Sequence, residues 1–430
     1  MARYYLAKGF FVSGSDLAGS EITEALKKQG AKIIIGPHKA SNVPVDVDLI
    51  VYSAAVENKN PELKEAKKRK IKCQTYAQAL GELTKKYFTI AISGTHGKST
   101  TTAMISLILI KAGFDPTVII GTKLCEFGGN NFRLGSSTSL GVNRYLVIEA
   151  DEYNASFLNY WPKIIVLTNI EEDHLDYYRD INHILATFKE YIGHLNKDGI
   201  LVANGDDENI SKLKLKSQNY NLKFKIENLK LKVTGRHNLM NAYAAVTVAR
   251  ALKIPDKVSV KALNNFNGTW RRFEYKGMLN GAKIFDDYGH HPTEIKATLQ
   301  GARELLTIRH KPYAIGHLWC IFQPHQYERT YKLFEQFVGA FDDADRIILL
   351  PVFSVAGREK ESIKKKVNSQ KLTNEIQKRN KKLRYKEKSV RYMDSFKKCA
   401  TYLKKNLKKG DIAVMMGAGD IYKLTQGLVS

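Results

Sequence analysis

The stretch that most restricts the fold runs from Tyr87 to Ala112. An apolar, strand-like segment, Tyr87 to Ile92, meets Ser93-Gly94-Thr95-His96-Gly97-Lys98-Ser99-Thr100 and passes straight into a helical pattern from Ser99 to Ala112. Strand, glycine-rich turn and helix in this order are a building unit of a parallel α/β layer. The turn also has chemical consequences. Backbone N–H groups at a helix N-terminus carry partial positive charge, so Gly94 to Thr100 offer an anion site in which Lys98 meets terminal phosphates and the Ser99 hydroxyl reaches Mg²⁺. The general phosphate-loop pattern has a glycine where this chain has Ile92, so the match is to a shorter variant.

At 430 residues the chain exceeds what one core usually supports. The pattern divides it into residues 1–84, 85–273 and 274–430, each alternating strand and helix signals. Apolar runs mark strands at Phe10 to Val12, Ala31 to Ile35 and Leu49 to Tyr52 in the first segment, and at Tyr145 to Ile148 and Ile164 to Leu167 in the second. In the third they fall at Ala282 to Phe285, His317 to Phe322, Arg346 to Leu350 and Ile412 to Met416, again a doubly wound pattern. Ligands of such sheets sit beyond the carboxyl ends of the strands. There the second segment carries Glu149-Ala150-Asp151-Glu152 and Thr168-Asn169-Ile170-Glu171-Glu172-Asp173-His174, whose hard oxygens suit magnesium. The lysine-rich region from Lys360 to Lys388 reads as irregular surface.

A net charge of +25 raises the question of a nucleic-acid or lipid partner. The lysines are scattered over helical stretches without an aromatic-basic repeat, which points to a solvated surface and no nucleic-acid partner. Cys73, Cys125, Cys320 and Cys399 show no paired spacing, so neither a disulfide framework nor a CxxC metal site is expected. With no apolar run near the roughly 20 residues of a membrane span and no signal-peptide pattern, the expectation is a cytoplasmic protein without membrane insertion.

The motifs, taken in order, resemble those of the Mur ligases, and within them the alanine-adding branch. They are SGSDLAGSE at 13–21, SGTHGKSTT at 93–101, EADEYNASF at 149–157, TNIEEDHLD at 168–176, GRHNLMNAYAA at 235–245, RRFE at 271–274, DDYGHHPTEI at 286–295, FQPHQYERT at 322–330 and GAGDI at 417–421. The resemblance spans the chain. It implies an N-terminal Rossmann-like domain for the UDP-sugar, a central P-loop ATPase with a mainly parallel sheet, and a C-terminal Rossmann-like domain for the amino acid. It further implies ATP with Mg²⁺, or Mn²⁺ in its place, UDP-N-acetylmuramate and L-alanine as substrates, an acyl-phosphate intermediate, and a monomer or homodimer. Matched by motif, Lys98, Glu149, His174 and His290 are the catalytic positions, with Ser99, Glu149 and His174 as metal ligands. His237, Asn241, Arg271, Arg272 and Asp287 join the loop in binding ATP. Ser13, Asp16, Tyr288, His290, His325, Tyr327 and Arg329 line the substrate positions.

Two departures stand out. Gln326 occupies the place where the family has an arginine after FQPH, a neutral amide in place of a charged fork. Met1 to Leu6 already resembles the helix that follows the family's first strand and glycine-rich turn, so the N-terminal sheet is expected to lack a central member, with an upstream start favoured over a rebuilt site. Tyr153 in EADEY leans towards the branch that recycles preformed muropeptides, which remains the alternative, together with a catalytically impaired nucleotide-binding homologue.

Overall fold

The computed structural model describes residues 1–135, 144–215, 218–220, 226–309, 316–355, 361–385 and 388–429. In the N-terminal part, β1 (Ser13–Asp16) pairs in parallel with β2 (Lys32–Ile35), and β3 (Leu49–Tyr52) with β4 (Lys72–Thr75). Among the described residues no ladder joins these two pairs. The helix Ala2–Ala7 precedes β1, and the expected strand at Phe10 to Val12 does not form. Phe10 and Phe11 are 61% and 69% exposed, and the ladder begins only at Ser13.

The middle of the chain contributes β5 (Phe88–Ser93), β6 (Thr117–Leu124), β7 (Asn130–Arg133), β8 (Tyr145–Glu149), β9 (Ile164–Leu167), β10 (Ile200–Asn204) and β11 (Gln218–Tyr220). They form one sheet in the order β11-β10-β9-β5-β8-β6-β7, parallel except for the antiparallel edge pair β6–β7. Alternation along β5 explains its place at the centre. Ile90 and Ile92 enter the core under the helix Lys98–Lys111, while Ala91 faces an opposite core built on Phe157, Phe188 and Tyr191. The helix Lys98–Lys111 is buried along most of its length because helices Arg236–Ala251 and Asp256–Asn264 cover its outer side.

The last part contributes β12 (Glu274–Leu279), β13 (Ala282–Asp287), β14 (Leu318–Phe322), β15 (Arg346–Leu349), β16 (Ser389–Tyr392) and β17 (Ile412–Met416). Their order is β12-β13-β17-β14-β15-β16, with only β12 antiparallel. The lysine-rich region is more regular than its composition suggests. It holds the helices Glu361–Lys364 and Ser369–Lys382, the second capped by the Asn368 side chain accepting from the Lys371 N–H. Leu372 and Ile376, four apart, anchor that helix in the core, and the lysines occupy its outer face. Residues 356–360, 386 and 387 of that region lie outside the described residues.

Candidate active site

Because β5 lies between β8 and β9, the carboxyl ends of these strands open onto one crevice. The phosphate loop leaves β5 there, Glu149 ends β8, and the Thr168–His174 segment follows β9. Gly94 (φ 126°) and Gly97 (φ 83°) adopt left-handed conformations. A Cβ on Gly94 would lie 2.2 Å from Thr168 Oγ1, and one on Gly97 2.5 Å from Asn241 Oδ1, so glycine is required at both. The loop is pinned from β9: the His96 N–H donates to Asn169 Oδ1 at 2.8 Å, and the Thr168 hydroxyl to His96 O at 2.6 Å.

Lys98 Nζ donates to Gly94 O (2.7 Å), Thr95 O (3.2 Å) and both Glu152 oxygens (3.1 and 2.9 Å). Burial alone would lower its pKa, but Glu152, Asp151 and Glu149 together raise it, so the ammonium stays charged. Glu149 shows the opposite balance: burial raises its pKa against the Gly121 N–H at 2.6 Å, the Ser99 hydroxyl and Lys98. A carboxylate and a hydroxyl already in contact, in a site where negative charge is under-compensated, are hard oxygen donors that fit a magnesium ion. His174 does not join that pair directly. Its Nε2 lies 3.8 Å from Glu152 Oε1, and it clusters with Asp151 and Glu152 such that possible ligand atoms lie within 4.8 Å of one another.

Beside the loop is a cavity of about 310 Å³ at the junction of the second and third parts, lined by Gly97, Thr100, His237, Asn241, Arg272 and Asp287 among others. His237 is kept neutral, its pKa lowered to about 4 by burial and Arg272, and its Nδ1 is buried with no hydrogen-bond partner. Asn241 accepts from the Thr101 hydroxyl at 3.1 Å. Asp287, pushed up to about 6 by burial, accepts from the N–H groups of Phe273 and Gly289, each at 2.7 Å. A second cavity of about 340 Å³ separates the N-terminal part from the central sheet, with Met1, Arg3, Tyr76, Glu149 and Asp151 in its wall.

Arg329, in the helix Tyr327–Lys332, reaches across to the central part and donates to Asp173 Oδ1 from Nε (3.1 Å) and from a terminal nitrogen (2.9 Å). Asp173, opposed by burial but held by Arg329, stays well below the usual carboxylate range. His290 and His325 meet edge to face at 5.6 Å, and His325 stacks on Phe353. Burial and Arg329 lower the His290 pKa to about 3, leaving a neutral ring with Nδ1 3.1 Å from Tyr288 O. Tyr327 is half-buried at the start of its helix, and the Tyr288 ring lies 5.2 Å from the Arg272 guanidinium.

Three sequence candidates lie away from these cavities. Arg271 is 2% exposed and spends its guanidinium on Asp286 Oδ1 (2.9 Å), Gly417 O (2.5 Å) and Gly419 O (3.2 Å), so it braces the C-terminal sheet instead of facing the cavity beside the loop. Ser13 is exposed on β1, and Asp16 Oδ1 accepts from the Ala18 N–H in a local turn; neither lines a cavity. Between them Ser15 instead donates to Glu62 Oε2 at 2.7 Å, in a network with His38 and Asn42. Glu152 and Asp173 belong to the acidic strand-end clusters, whereas Glu294 has no role in the reading of the sequence. Glu294 accepts from the N–H groups of His290 and His291 and lies 3.2 Å from His96 Nδ1. The signal for Glu294 is its place inside the motif DDYGHHPTEI.

Comparison with known proteins agrees with this geometry. Profiles of the Mur ligase family catalytic domain, the Mur ligase middle domain and the Mur ligase glutamate ligase domain match residues 1–88, 92–228 and 271–419. UDP-N-acetylmuramate--L-alanine ligase of Clostridium botulinum (strain Loch Maree / Type A3) is 40% identical over 99% of this chain and 93% of its own length. The enzyme of the same name from Acetivibrio thermocellus is 41% identical over 99% and 91%. The crystal structure of the UDP-N-acetylmuramate-alanine ligase of Thermotoga maritima superposes with a TM-score of 0.79 at 25% identity, covering 100% of this chain and 94% of that one. A murein peptide ligase of Psychrobacter arcticus shares the fold, with a TM-score of 0.67 at 23% identity over 99% and 94%. Near-full-length identity of this order, on a fold that brings a phosphate loop and acidic strand ends to one crevice, makes the chain a member of the Mur ligase family.

Proposed function

We propose that this protein joins L-alanine to the lactyl carboxylate of UDP-N-acetylmuramate at the expense of ATP, a step of peptidoglycan precursor synthesis. The observation that carries the reading is the junction of Lys98, Ser99 and Glu149 beside the nucleotide-sized cavity, in a chain 40% identical along nearly its whole length to alanine-adding enzymes. The proposed division of labour follows the segments: residues 1–84 take the UDP-sugar, 85–273 the ATP and 274–430 the amino acid.

ATP fits the cavity beside the loop, where Gly94 to Thr100 present backbone N–H groups and the unpartnered His237 Nδ1 and the Asn241 amide suit a base. Ser99 and Glu149 would hold Mg²⁺, with His174 as the contact of a second ion. Magnesium supplies charge neutralisation on the phosphates. The lactyl carboxylate oxygen attacks the γ-phosphorus, the bond to the β-phosphate oxygen breaks, and ADP leaves with its electron pair. Lys98 balances charge on the transferring group, since phosphoryl transfer is achieved largely by positioning and electrostatics. The neutral amine of alanine then attacks the acyl-phosphate carbonyl, the nitrogen loses a proton and inorganic phosphate departs as the amide forms. His290, held neutral, is suited to accept a hydrogen bond from that amine, and Arg329 supplies positive charge for a carboxylate.

A ligation assay offering L-alanine and L-Ala-γ-D-Glu-diaminopimelate in competition tests the amino-acid assignment. Preference for alanine supports it; preference for the tripeptide moves the protein to the recycling branch. Tyr153, the residue that leans that way, places its hydroxyl 3.3 Å from Asp176 and its ring 4.8 Å from that of His174, so it packs within the acidic cluster.

A further inference from the structure

We propose that His96, His291 and Glu171 form a site for a borderline-soft divalent cation of the Zn²⁺ class, bridging the central and C-terminal parts and distinct from the magnesium position at Ser99 and Glu149. Candidate ligand atoms of the three residues all lie within 4.8 Å of one another. His96 Nε2 is 3.5 Å, and His291 Nδ1 3.8 Å, from the same oxygen, Glu171 Oε2. Tetrahedral zinc with bonds of about 2.0–2.1 Å sets its ligands roughly 3.4 Å apart, so each nitrogen–oxygen spacing is within a few tenths of an ångström of that value. Two imidazoles and a carboxylate, with a fourth position left open, form a donor set typical of zinc and unlike the oxygen cages of magnesium.

The atoms that do not face the proposed ion argue in the same direction. A metal-bound histidine usually engages its other ring nitrogen with a carboxylate or carbonyl, which fixes its orientation. His96 Nδ1 lies 3.2 Å from Glu294 Oε1, and His291 Nε2 lies 3.2 Å from Glu172 O. Each imidazole therefore turns its remaining nitrogen towards the other, with ring centroids 4.9 Å apart. His96 Nε2 is buried without a hydrogen-bond partner. His291 Nδ1 receives only a long bond, from the Thr293 N–H at 3.3 Å, and Glu171 Oε2 is oriented by the Thr293 hydroxyl at 2.5 Å. His96 and Glu171 also line the nucleotide cavity, so the fourth position opens towards it. Binding displaces the proton on His96 Nε2, while Nδ1–H stays with Glu294, which makes the affinity rise with pH.

The test is a titration of the full-length protein, free of nucleotide and magnesium, with ZnCl₂ by calorimetry and with Co²⁺ by electronic absorption. The expected result is one tight site with the intense d–d bands of tetrahedral Co²⁺. Affinity should fall about tenfold or more in each of His291→Ala and Glu171→Gln and be unchanged in His174→Ala, which alters only the other acidic cluster. Glu171, with its side chain 32% exposed, gives a variant that keeps its fold even where the buried His291→Ala does not. Equal affinity in wild type and Glu171→Gln, or an octahedral Co²⁺ spectrum, would overturn the proposal.

Discussion

At the scale of single residues, the site is held by largely buried ion pairs. Glu152 holds the Lys98 ammonium, and Asp173 holds the Arg329 guanidinium. Lys98→Ala should lower ligation by at least about 10²-fold, the usual loss for one charge aimed at a transition state. Removing Lys98 also strands the buried Glu152, so Lys98→Ala/Glu152→Gln should regain thermal stability without regaining turnover. Thermal melts and initial rates on both variants check this, and full turnover in Lys98→Ala would remove the phosphate-loop assignment. Gln326 has φ 70° at the head of the Arg329 helix, its N–H bonded to Phe353 O at 2.9 Å. Gln326→Arg should lower KM for alanine or the UDP-sugar roughly tenfold, the worth of one charge-assisted bond of about 1.5 kcal/mol. An unchanged KM for both would mean that Arg329 already supplies that charge.

At the scale of elements, the loop between β5 and its helix determines the geometry of the crevice. Gly97→Ala would place a methyl group 2.5 Å from Asn241 Oδ1 at φ 83°, so it should raise KM for ATP while leaving the circular dichroism spectrum native; an unaltered KM would show that the loop is not shaped by that contact. Elements with uninterrupted apolar runs were legible in the sequence: β3, β9 and β17 fall on the predicted residues. Elements whose period is broken were not. β6 contains Gly121 and β12 alternates around Gly277 at a bulge, so neither shows a clean apolar pattern. The same limit applies to the site. Lys98, Glu149 and His237 could be placed from motifs, whereas the turn of Arg271 into the sheet and the meeting of Glu294 with His96 depend on how two sheets dock, which local spacing does not encode.

At the scale of the whole molecule, the central and C-terminal parts are joined by polar contacts: Arg329 to Asp173, Thr293 to Glu171, and His96 to Glu294. Burial would lower the His96 pKa, but Glu294 and Glu171 raise it from 6.5 to about 9, so its contribution is fully present below pH 6.5 and lost as pH rises through about 9. Glu171 and Glu294 titrate below their ordinary 4.5, and their contribution is lost as pH falls through those lowered values. The melting temperature of the wild type should therefore decline between pH 6.5 and 9 more steeply than that of His96→Asn, and parallel declines would refute the junction's proton linkage. If this crevice makes an amide by way of an acyl phosphate, as proposed, phosphate release with each substrate omitted in turn measures it most directly. Release that requires ATP, UDP-N-acetylmuramate and L-alanine together, one phosphate per amide formed, is the predicted result. Release that proceeds equally without the sugar nucleotide or without the amino acid would contradict it.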